Sequence, residues 1–360
     1  MLYYKPVKPT DAEHTIVYRK NDEFCSWPFN AGMWKLSDQH VLVGFMNIAC
    51  NYSVPGQLNH DRVETYGRIA AARTLDGGRT WSEAADIEDN YHLAEPLLYG
   101  PARKIAEGAD FSDPNVLLAC WSTPNSGSDK AKAWIKLSRD GGAVWGEAVL
   151  LPGCGIPRYQ GRPSYIVRPD GVILLFLTAK PKTNPHDRPV VFASFDSGVN
   201  WSLISLMPAS HEYRMICPSP VLLPSGTILA AVRCKPDMIA AWNELYASED
   251  GGRTWRFVSR INDHGDVVDL KLLSDGRLLA VYGYRRPPFG IRAACSEDGG
   301  RTWGPELILR DDGGSKDLGY PRAVETTPGE VLAAYYFNEA NDPNGYDGGI
   351  RHIAATRFKP

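Results

Sequence analysis

The sequence has no long apolar run, no basic run and no paired-cysteine motif. No stretch of about 18 apolar residues occurs, and no apolar segment follows the first methionine, so neither a membrane span nor a signal peptide is predicted. The 39 basic and 42 acidic residues are dispersed, which argues against a nucleic-acid or membrane partner. We therefore expect a cytoplasmic protein with a small or glycan ligand. The composition leaves the oligomeric state open.

The seven cysteines are odd in number, widely separated and without a C-x-x-C pair. This pattern is typical of reduced thiols in a core, and it offers no zinc site. The chain is 43% hydrophobic and 22% charged, which is the balance of a globular protein with a full core.

A short motif, Ser/Thr-x-Asp-x-Gly-x-x-Trp, is present five times. Its copies occupy residues 74–81, 138–145, 194–201, 248–255 and 296–303. In a tight hairpin the Asp carboxylate accepts turn N–H groups, glycine supplies positive φ, and Trp packs on the sheet. We therefore expect the five aspartates to build turns and not a metal or catalytic array.

The spacing of the motif predicts the fold. Its aspartates stand at positions 76, 140, 196, 250 and 298, roughly 50 to 60 residues apart, which is the length of one four-stranded blade. A second repeat, a strand followed by a Gly turn and an apolar strand, gives the same phase. The prediction is an all-β protein, a single six-bladed β-propeller over residues 1–360. Residues 15–19 are expected to close the ring by pairing with the last blade.

These motifs resemble the Asp-box (BNR) repeats of the sialidase (neuraminidase) superfamily, and the resemblance covers essentially the whole chain. It implies a sialidase-like propeller with its site at the axis. There, three arginines would hold a sugar carboxylate, a tyrosine activated by a glutamate would attack, and an aspartate would donate a proton. First strands line the axis of a propeller, so the residues nine positions before each turn glycine are expected at one mouth. They are Arg162, Cys217, Val267 and Tyr320.

The resemblance assigns roles to individual residues. Tyr320 stands where the family has its nucleophile. Arg233 and Arg286 stand where two of the carboxylate-binding arginines are expected, since a guanidinium group suits a planar carboxylate. The acid/base carboxylate is expected just ahead of the first motif, where Asp61 is the first candidate and Glu64 the second.

Two arginines at the start of inner strands, Arg162 and Arg322, are further candidates for the anion pocket. The third family arginine is missing, because the segment 27–30 of the first blade reads Trp-Pro-Phe-Asn. Trp27, with Phe29, is expected either in the core or as a sugar-stacking wall. Asn30 is a candidate ligand contact in the same segment.

The glutamate that would activate the tyrosine is also missing. Cys217 and Pro218 occupy its place, and Glu212 is the nearest substitute in the sequence. A tyrosine has an unperturbed pKa of about 10, so it attacks well only when a carboxylate takes its proton.

We therefore predict a glycoside hydrolase resembling exo-sialidases, which acts on a terminal sialic acid, related keto-acid or uronic acid without a metal or organic cofactor. Two alternatives remain open. The first is a polysaccharide lyase for uronate-containing glycans, in which His60 and Tyr320 abstract and return a proton. The second is a carbohydrate-binding propeller without activity, which the two missing family residues make reasonable.

Overall fold

A six-bladed ring of antiparallel sheets makes up the protein, as the sequence predicts. The computed structural model describes residues 4–58, 62–63, 67–88, 105, 107–123, 131–237, 239–342 and 348–360. The first strand of the chain is β1 (Glu13–Tyr18), which belongs to the sixth blade. The first blade has five strands: β2 (Glu23–Ser26), β3 (Met33–Ser37), β4 (His40–Ala49), β5 (Arg68–Thr74) and β6 (Ala85–Glu88).

The second and third blades follow in chain order. The described residues of the second blade form three strands: β7 (Leu117–Thr123), β8 (Lys132–Ser138) and β9 (Val149–Leu150). The third blade has four: β10 (Arg158–Val167), β11 (Ile173–Lys180), β12 (Arg188–Ser194) and β13 (Ser202–Leu206).

The remaining blades repeat this four-stranded plan. The fourth contains β14 (Arg214–Leu222), β15 (Ile228–Lys235), β16 (Trp242–Ser248) and β17 (Arg256–Asn262). The fifth contains β18 (Val268–Leu272), β19 (Leu278–Tyr284), β20 (Gly290–Ser296) and β21 (Leu307–Arg310). The sixth contains β22 (Gly319–Thr327), β23 (Glu330–Phe337), β24 (His352–Phe358) and β1.

The N-terminal strand closes the ring, as predicted. β1 pairs antiparallel with β24, with Thr15 opposite Ala355. One sheet therefore contains both the start and the end of the described chain, and pairing across this junction removes an open edge.

Each of the five copies of the motif forms a turn between the two outermost described strands of its blade. In the fourth blade, Asp250 Oδ1 accepts hydrogen bonds from the backbone N–H groups of Arg253 and Thr254, at 3.0 and 2.9 Å. Its second oxygen accepts from the Thr254 hydroxyl at 2.6 Å. Because these bonds occupy the carboxylate, the prediction of turn-building aspartates is confirmed.

The turns also define the two ends of the ring. The Asp-box turns all join the two outermost described strands of a blade and therefore lie at one end, which we call the lower end. At the opposite, upper end the first strands begin and the second strands finish. The first strands β10, β14, β18 and β22 contact one another around the axis. Residues that begin these strands consequently meet at the upper end.

A one-turn helix, α1 (Pro28–Ala31), interrupts the inner strand of the first blade between β2 and β3. Its Phe29 is fully buried and packs with Ile216, Cys217 and Val267 from the fourth and fifth blades. An apolar plug, formed by these four residues, therefore fills the axis just inside the upper end.

The remaining sequence expectations concern cysteines, membranes and metals. All seven cysteines are free, and five of them are buried. No helix in the described part of the chain is long and apolar enough to cross a membrane. Among the same residues, no group of three or more His, Cys, Asp or Glu side chains is arranged to hold a metal ion.

We expect Asp250→Ala to lower the free energy of unfolding by about 1–3 kcal/mol, because the turn N–H groups lose a charged acceptor. Hydrogen bonds, first that from the Thr254 hydroxyl, lower the pKa of Asp250. Its contribution is therefore present at neutral pH and is lost as the pH falls through the carboxyl range. Urea denaturation at pH 7 and pH 3 measures both effects.

The matched control is Glu249→Ala, one residue earlier in the same turn. Glu249 pairs with Arg256, and both side chains are largely exposed, so this variant should change stability by less than about 0.5 kcal/mol. Equal denaturation midpoints for the two variants would contradict the structural role of the Asp box.

Candidate functional site

Tyr320 and two arginines meet at the upper end of the axis. Arg233 Nη1, at the end of β15, donates to the Tyr320 hydroxyl at 3.3 Å. The guanidinium carbons of Arg233 and Arg285 lie 5.8 and 5.4 Å from the centre of the Tyr320 ring. Side chains from the fourth, fifth and sixth blades thus form one cluster, which we call the axial cluster.

Asp266 supplies the negative charge of this cluster. Its Oδ2 lies 2.6 Å from Arg233 Nη2 and 3.6 Å from Arg285 Nη1. Burial alone would raise the pKa of Asp266, but Arg233, and then Arg285 and Lys235, hold it below its usual value. Asp266 is therefore an anion at neutral pH that neutralises the arginines, and it is not poised to donate a proton.

The Tyr320 hydroxyl stays protonated at neutral pH. Burial raises the pKa of Tyr320, and the positive charge of Arg233 only partly opposes this. Within the described part of the chain, no carboxylate accepts a hydrogen bond from Tyr320; its oxygen instead accepts one from Arg233. The hydroxyl hydrogen is consequently available for a ligand.

The backbone around the cluster is strained. Trp27, Cys217 and Tyr320 have φ of 54, 56 and 48°, a left-handed conformation that non-glycine residues rarely adopt. Cys217 and Tyr320 lie in the upper halves of the inner strands of the fourth and sixth blades, and Trp27 lies between β2 and α1 in the first blade. Such conformations cost of order 1–3 kcal/mol each and cluster at functional sites.

Two glycines allow the sixth blade to place Tyr320. Gly319 has φ of 106°, and a Cβ on it would lie 3.0 Å from the Cα of Gly283 in β19. A side chain at either position would push β22 away from β19. The register of β22 against β23 also shifts between Gly319 and Arg322. This bulge turns the Tyr320 side chain towards the axis.

A second carboxylate extends the cluster across the sixth blade. Arg285 Nη2 donates to the Tyr336 hydroxyl, and that hydroxyl donates to Asp317 Oδ1, each at 2.8 Å. Arg351, which is fully buried, donates to Asp317 Oδ2 at 2.9 Å. Positive and negative side chains therefore alternate along a chain of contacts from Arg233 to Arg351. Because Arg285 lies within this chain, its contacts on both sides fix its orientation.

Arg322 does not belong to this cluster, and its prediction as a ligand contact is corrected. It is 4% exposed and lies below the plug. Its donors reach Asp269 Oδ1 at 3.0 Å, Ser164 Oγ at 2.8 Å and the Phe29 carbonyl at 2.9 Å. Because four of its hydrogen bonds go to the protein and the plug covers it, Arg322 holds the channel together and is not placed to contact a sugar.

Arg162 and Trp27 are also buried. Arg162 is 5% exposed, and its charge helps to lower the pKa of Arg322, so it lies in the same lower layer. Trp27 is 1% exposed and packs 5.8 Å from the Tyr320 ring, between centroids. The sequence left two interpretations of Trp27 and Phe29, as core residues or as a sugar-stacking wall. In the structure both side chains are buried in the core. Asn30 is half-buried on α1.

Five further residues singled out from the sequence lie away from the cluster or outside the described chain. Arg286 is exposed, and the cluster contains Arg285 in its place, because the strand period of two turns neighbours to opposite faces. Glu212 is likewise exposed. His60, Asp61 and Glu64 lie outside the described residues, so their roles stay predictions.

Sequence reasoning missed Asp266, Arg285, Lys235 and the Tyr336–Asp317 connection. One signal could have found two of them. Lys235 and Arg285 each stand nine residues after the turn glycine of their blade, Gly226 and Gly276. Residues at equivalent positions of two repeats lie at the same end of the ring. Asp266, in a loop, carried no such signal.

Two surface cavities lie elsewhere. One, of about 600 Å³, is beside the third blade and includes Arg158, Lys180 and Lys182. The other, of about 820 Å³, lies between the fourth and fifth blades and includes Tyr284, His264 and Trp303 among its lining residues. Neither contains Arg233, Arg285 or Tyr320, and neither brings opposite charges together with a strained backbone. The axial cluster is therefore the candidate site.

We expect Arg322→Leu to lower the free energy of unfolding by about 1.5–3 kcal/mol, because the buried Asp269 loses a charged hydrogen bond and keeps only Lys271, at 3.1 Å, as a cationic partner. Arg286→Leu, at an exposed position, should change it by less than about 0.5 kcal/mol. Denaturant titration of both variants measures this. Wild-type stability in Arg322→Leu, together with weaker glycan binding, would return Arg322 to the ligand site.

Comparison with known proteins supports the architecture. Residues 160–332 match the family model described as a BNR repeat-like domain. No curated protein is significantly similar to the sequence. A Dyadobacter fermentans protein of unknown function has a similar structure, with a TM-score of 0.76, 23% identity, and coverage of 97% of this chain and 99% of that one.

Two enzymes share the fold at lower identity. For the Trypanosoma rangeli sialidase in complex with the inhibitor DANA, the TM-score is 0.63 at 11% identity, and the match covers 97% of this chain but 60% of the sialidase. For the α-L-arabinofuranosidase of Fusarium graminearum, the TM-score is 0.60 at 15% identity, with 94% and 97% covered. The chain therefore shares the fold of sialidase-like propellers, and its residues 160–332 are similar to a BNR repeat-like domain.

Proposed function

We propose that the protein is a glycoside hydrolase that removes a terminal acidic sugar, such as a sialic acid, a related keto-acid or a uronic acid, from a glycan. The observation that carries this proposal is the convergence of Arg233, Arg285 and Tyr320 at the upper end of the axis. Guanidinium groups are planar donors that match a carboxylate, and the Tyr320 hydroxyl lies beside them.

Arg285 is the better placed of the two arginines to meet a ligand. The Arg233 side chain is 3% exposed, and its two Nη atoms already serve Asp266 and Tyr320. The Arg285 side chain is 20% exposed, and its Nη1 is 3.6 Å from Asp266, a loose contact. In this proposal Arg285 contacts the sugar carboxylate, while Arg233 orients the Tyr320 hydroxyl.

Tyr320 then faces the anomeric carbon, where it either attacks or stabilises the oxocarbenium-like centre. Attack requires a base, because the pKa of Tyr320 is raised by burial. Asp266, which shares Arg233 with Tyr320, would take this role in the described cluster. The leaving group would take its proton from Asp61 or Glu64, as the sequence predicts.

One observation favours a second candidate, a propeller that binds acidic glycans without cleaving them. Tyr320 is protonated and donates no hydrogen bond to a carboxylate of the described chain, which suits binding better than nucleophilic attack. Both candidates use the same arginines, so turnover separates them. The lyase alternative depends on His60 and would yield an unsaturated uronate with ultraviolet absorbance.

A screen of aryl α-sialosides and uronosides tests the proposal. Wild type should release the aryl group from at least one of them, and Tyr320→Phe should lower kcat by on the order of 10³-fold or more. Tyr335→Phe is the matched control: its hydroxyl contacts Thr356 on the other face of β23, and its loss should leave kcat unchanged.

Each of the other outcomes of the screen leads to a single conclusion. Equal rates for wild type and Tyr320→Phe would overturn the role of Tyr320. Binding of acidic sugars without release from any substrate would favour the non-catalytic propeller. Absorbance of an unsaturated product without hydrolysis would favour the lyase.

The two acid/base candidates are separated by Asp61→Asn and Glu64→Gln. Loss of the general acid should lower kcat by about 10²–10⁴-fold for a poor leaving group and much less for a good one, because protonation matters most when the leaving group is basic. We expect this dependence for Asp61→Asn and not for Glu64→Gln. A leaving-group series measured for both variants tests the assignment, and the reverse pattern would exchange the two residues.

A further inference from the structure

Lys235 lies next to the axial cluster at the upper end of the fourth blade. It follows Arg233 by two residues in β15, so the two side chains share a face of the strand. Its partner across the ladder is Arg214, just as Ile216 is the partner of Arg233. Lys235 is thus one step closer to the mouth than Arg233, and it is half-buried.

The ammonium group of Lys235 has charged neighbours but no partner. No described residue forms an ion pair or a hydrogen bond with it. Arg214, on β14, is engaged by Asp187 at 2.7 Å. Asp266, from the loop before β18, is engaged by Arg233 and Arg285. Asp237, which is exposed in the loop after β15, accepts backbone N–H groups of Ile239 and Ala240. These three carboxylates of the described chain therefore each bind other groups.

This environment makes the positive charge of Lys235 costly. Burial, followed by the charge of Arg233, lowers its pKa to about 8; Arg285 and Arg214 also lower it, and Asp266 opposes them. A half-buried cation among other cations is a position at which an anion binds favourably. The repeat supports the same conclusion, since Lys235 occupies in the fourth blade the place of Arg285 in the fifth.

We propose that Lys235 is the third cation of the anion site and that it binds the sugar carboxylate together with Arg285. It would take the place of the arginine that is missing from the first blade, but from the opposite side of the axis. The inference rests on the proposed function, because it assumes that the axial cluster accepts an acidic sugar. It adds the residue that makes recognition depend on pH.

The direction of the pH dependence of binding follows from the coupling between anion binding and protonation of Lys235. Near pH 8 about half of the free protein carries a neutral Lys235. A bound carboxylate stabilises the protonated form, so binding at pH 8 takes up about half a proton. Affinity for the anion falls as the pH rises from 7 to 9.5, by at most about tenfold per pH unit.

Isothermal titration calorimetry with N-acetylneuraminate and with glucuronate tests the proposal. Titrations at pH 7, 8 and 9.5, in buffers of different ionisation enthalpy, give the affinity and the proton uptake. The variants are Lys235→Met, which removes the charge, and Lys235→Arg, which keeps it at every pH used. Lys182→Met, a lysine on the third blade at the same end, is the control.

For the better-bound sugar, Lys235→Met should bind about 10 to 100 times more weakly at pH 7, because a charged hydrogen bond is lost. Lys235→Arg should bind at pH 7 within a few-fold of wild type, but without proton uptake at pH 8 and with a flat pH profile. The control should match wild type in both respects. If Lys235→Met fails to fold, the flat profile of Lys235→Arg still tests the role.

Failure of the inference and failure of the proposed function differ in this experiment. If wild type binds a sugar acid and Lys235→Met and Lys235→Arg keep its affinity and its proton uptake, Lys235 is not a ligand contact, while the acidic-sugar proposal stands. If wild type binds neither sugar acid at any pH, the acidic-sugar proposal fails, and the inference fails with it.

Discussion

A buried ion pair between Arg322 and Asp269 ties the blades together at the axis. Asp269 is fully buried and also accepts hydrogen bonds from the Ser219 hydroxyl and the Ala323 N–H, each at 2.8 Å. Arg322 reaches Ser164 and the Phe29 carbonyl. Five of the six blades thus meet in one network. Such a network is stable only when every member is satisfied, and it then fixes a single arrangement.

The upper layer depends on this lower one. Phe29 covers the network from above, its ring 4.0 Å from the Arg322 guanidinium carbon, and packs around the strained backbone of Cys217 and Tyr320. Because the plug fills the axis, the side chains of the axial cluster cannot move down into the channel. Arg233, Asp266 and Arg285 therefore hold a fixed geometry. The excess positive charge at the mouth includes Lys235, with which none of the described residues forms an ion pair.

The fold could be predicted from the sequence because each copy of the repeated motif specifies the same local turn. Asp, Gly and Trp at fixed offsets specify a turn regardless of distant contacts, and the spacing of five turns specifies blades. The site was predicted only where it followed that phase: Arg233 and Tyr320 meet as expected. Arg286 was one residue from the correct position, and Arg322 was assigned to the wrong layer. Whether a side chain lies above or below the apolar plug depends on bulges in the inner strands and on the position of α1. Neither feature produces a periodic pattern in the sequence.

In the proposed function, the upper end of the axis receives the carboxylate of an acidic sugar. A crystal structure of the protein soaked with N-acetylneuraminate or glucuronate tests this most directly. We expect density for the sugar above the Phe29 plug, with its carboxylate within about 3 Å of Arg285 and Lys235. Sugar density in either surface cavity, with an empty axial cluster, would contradict it.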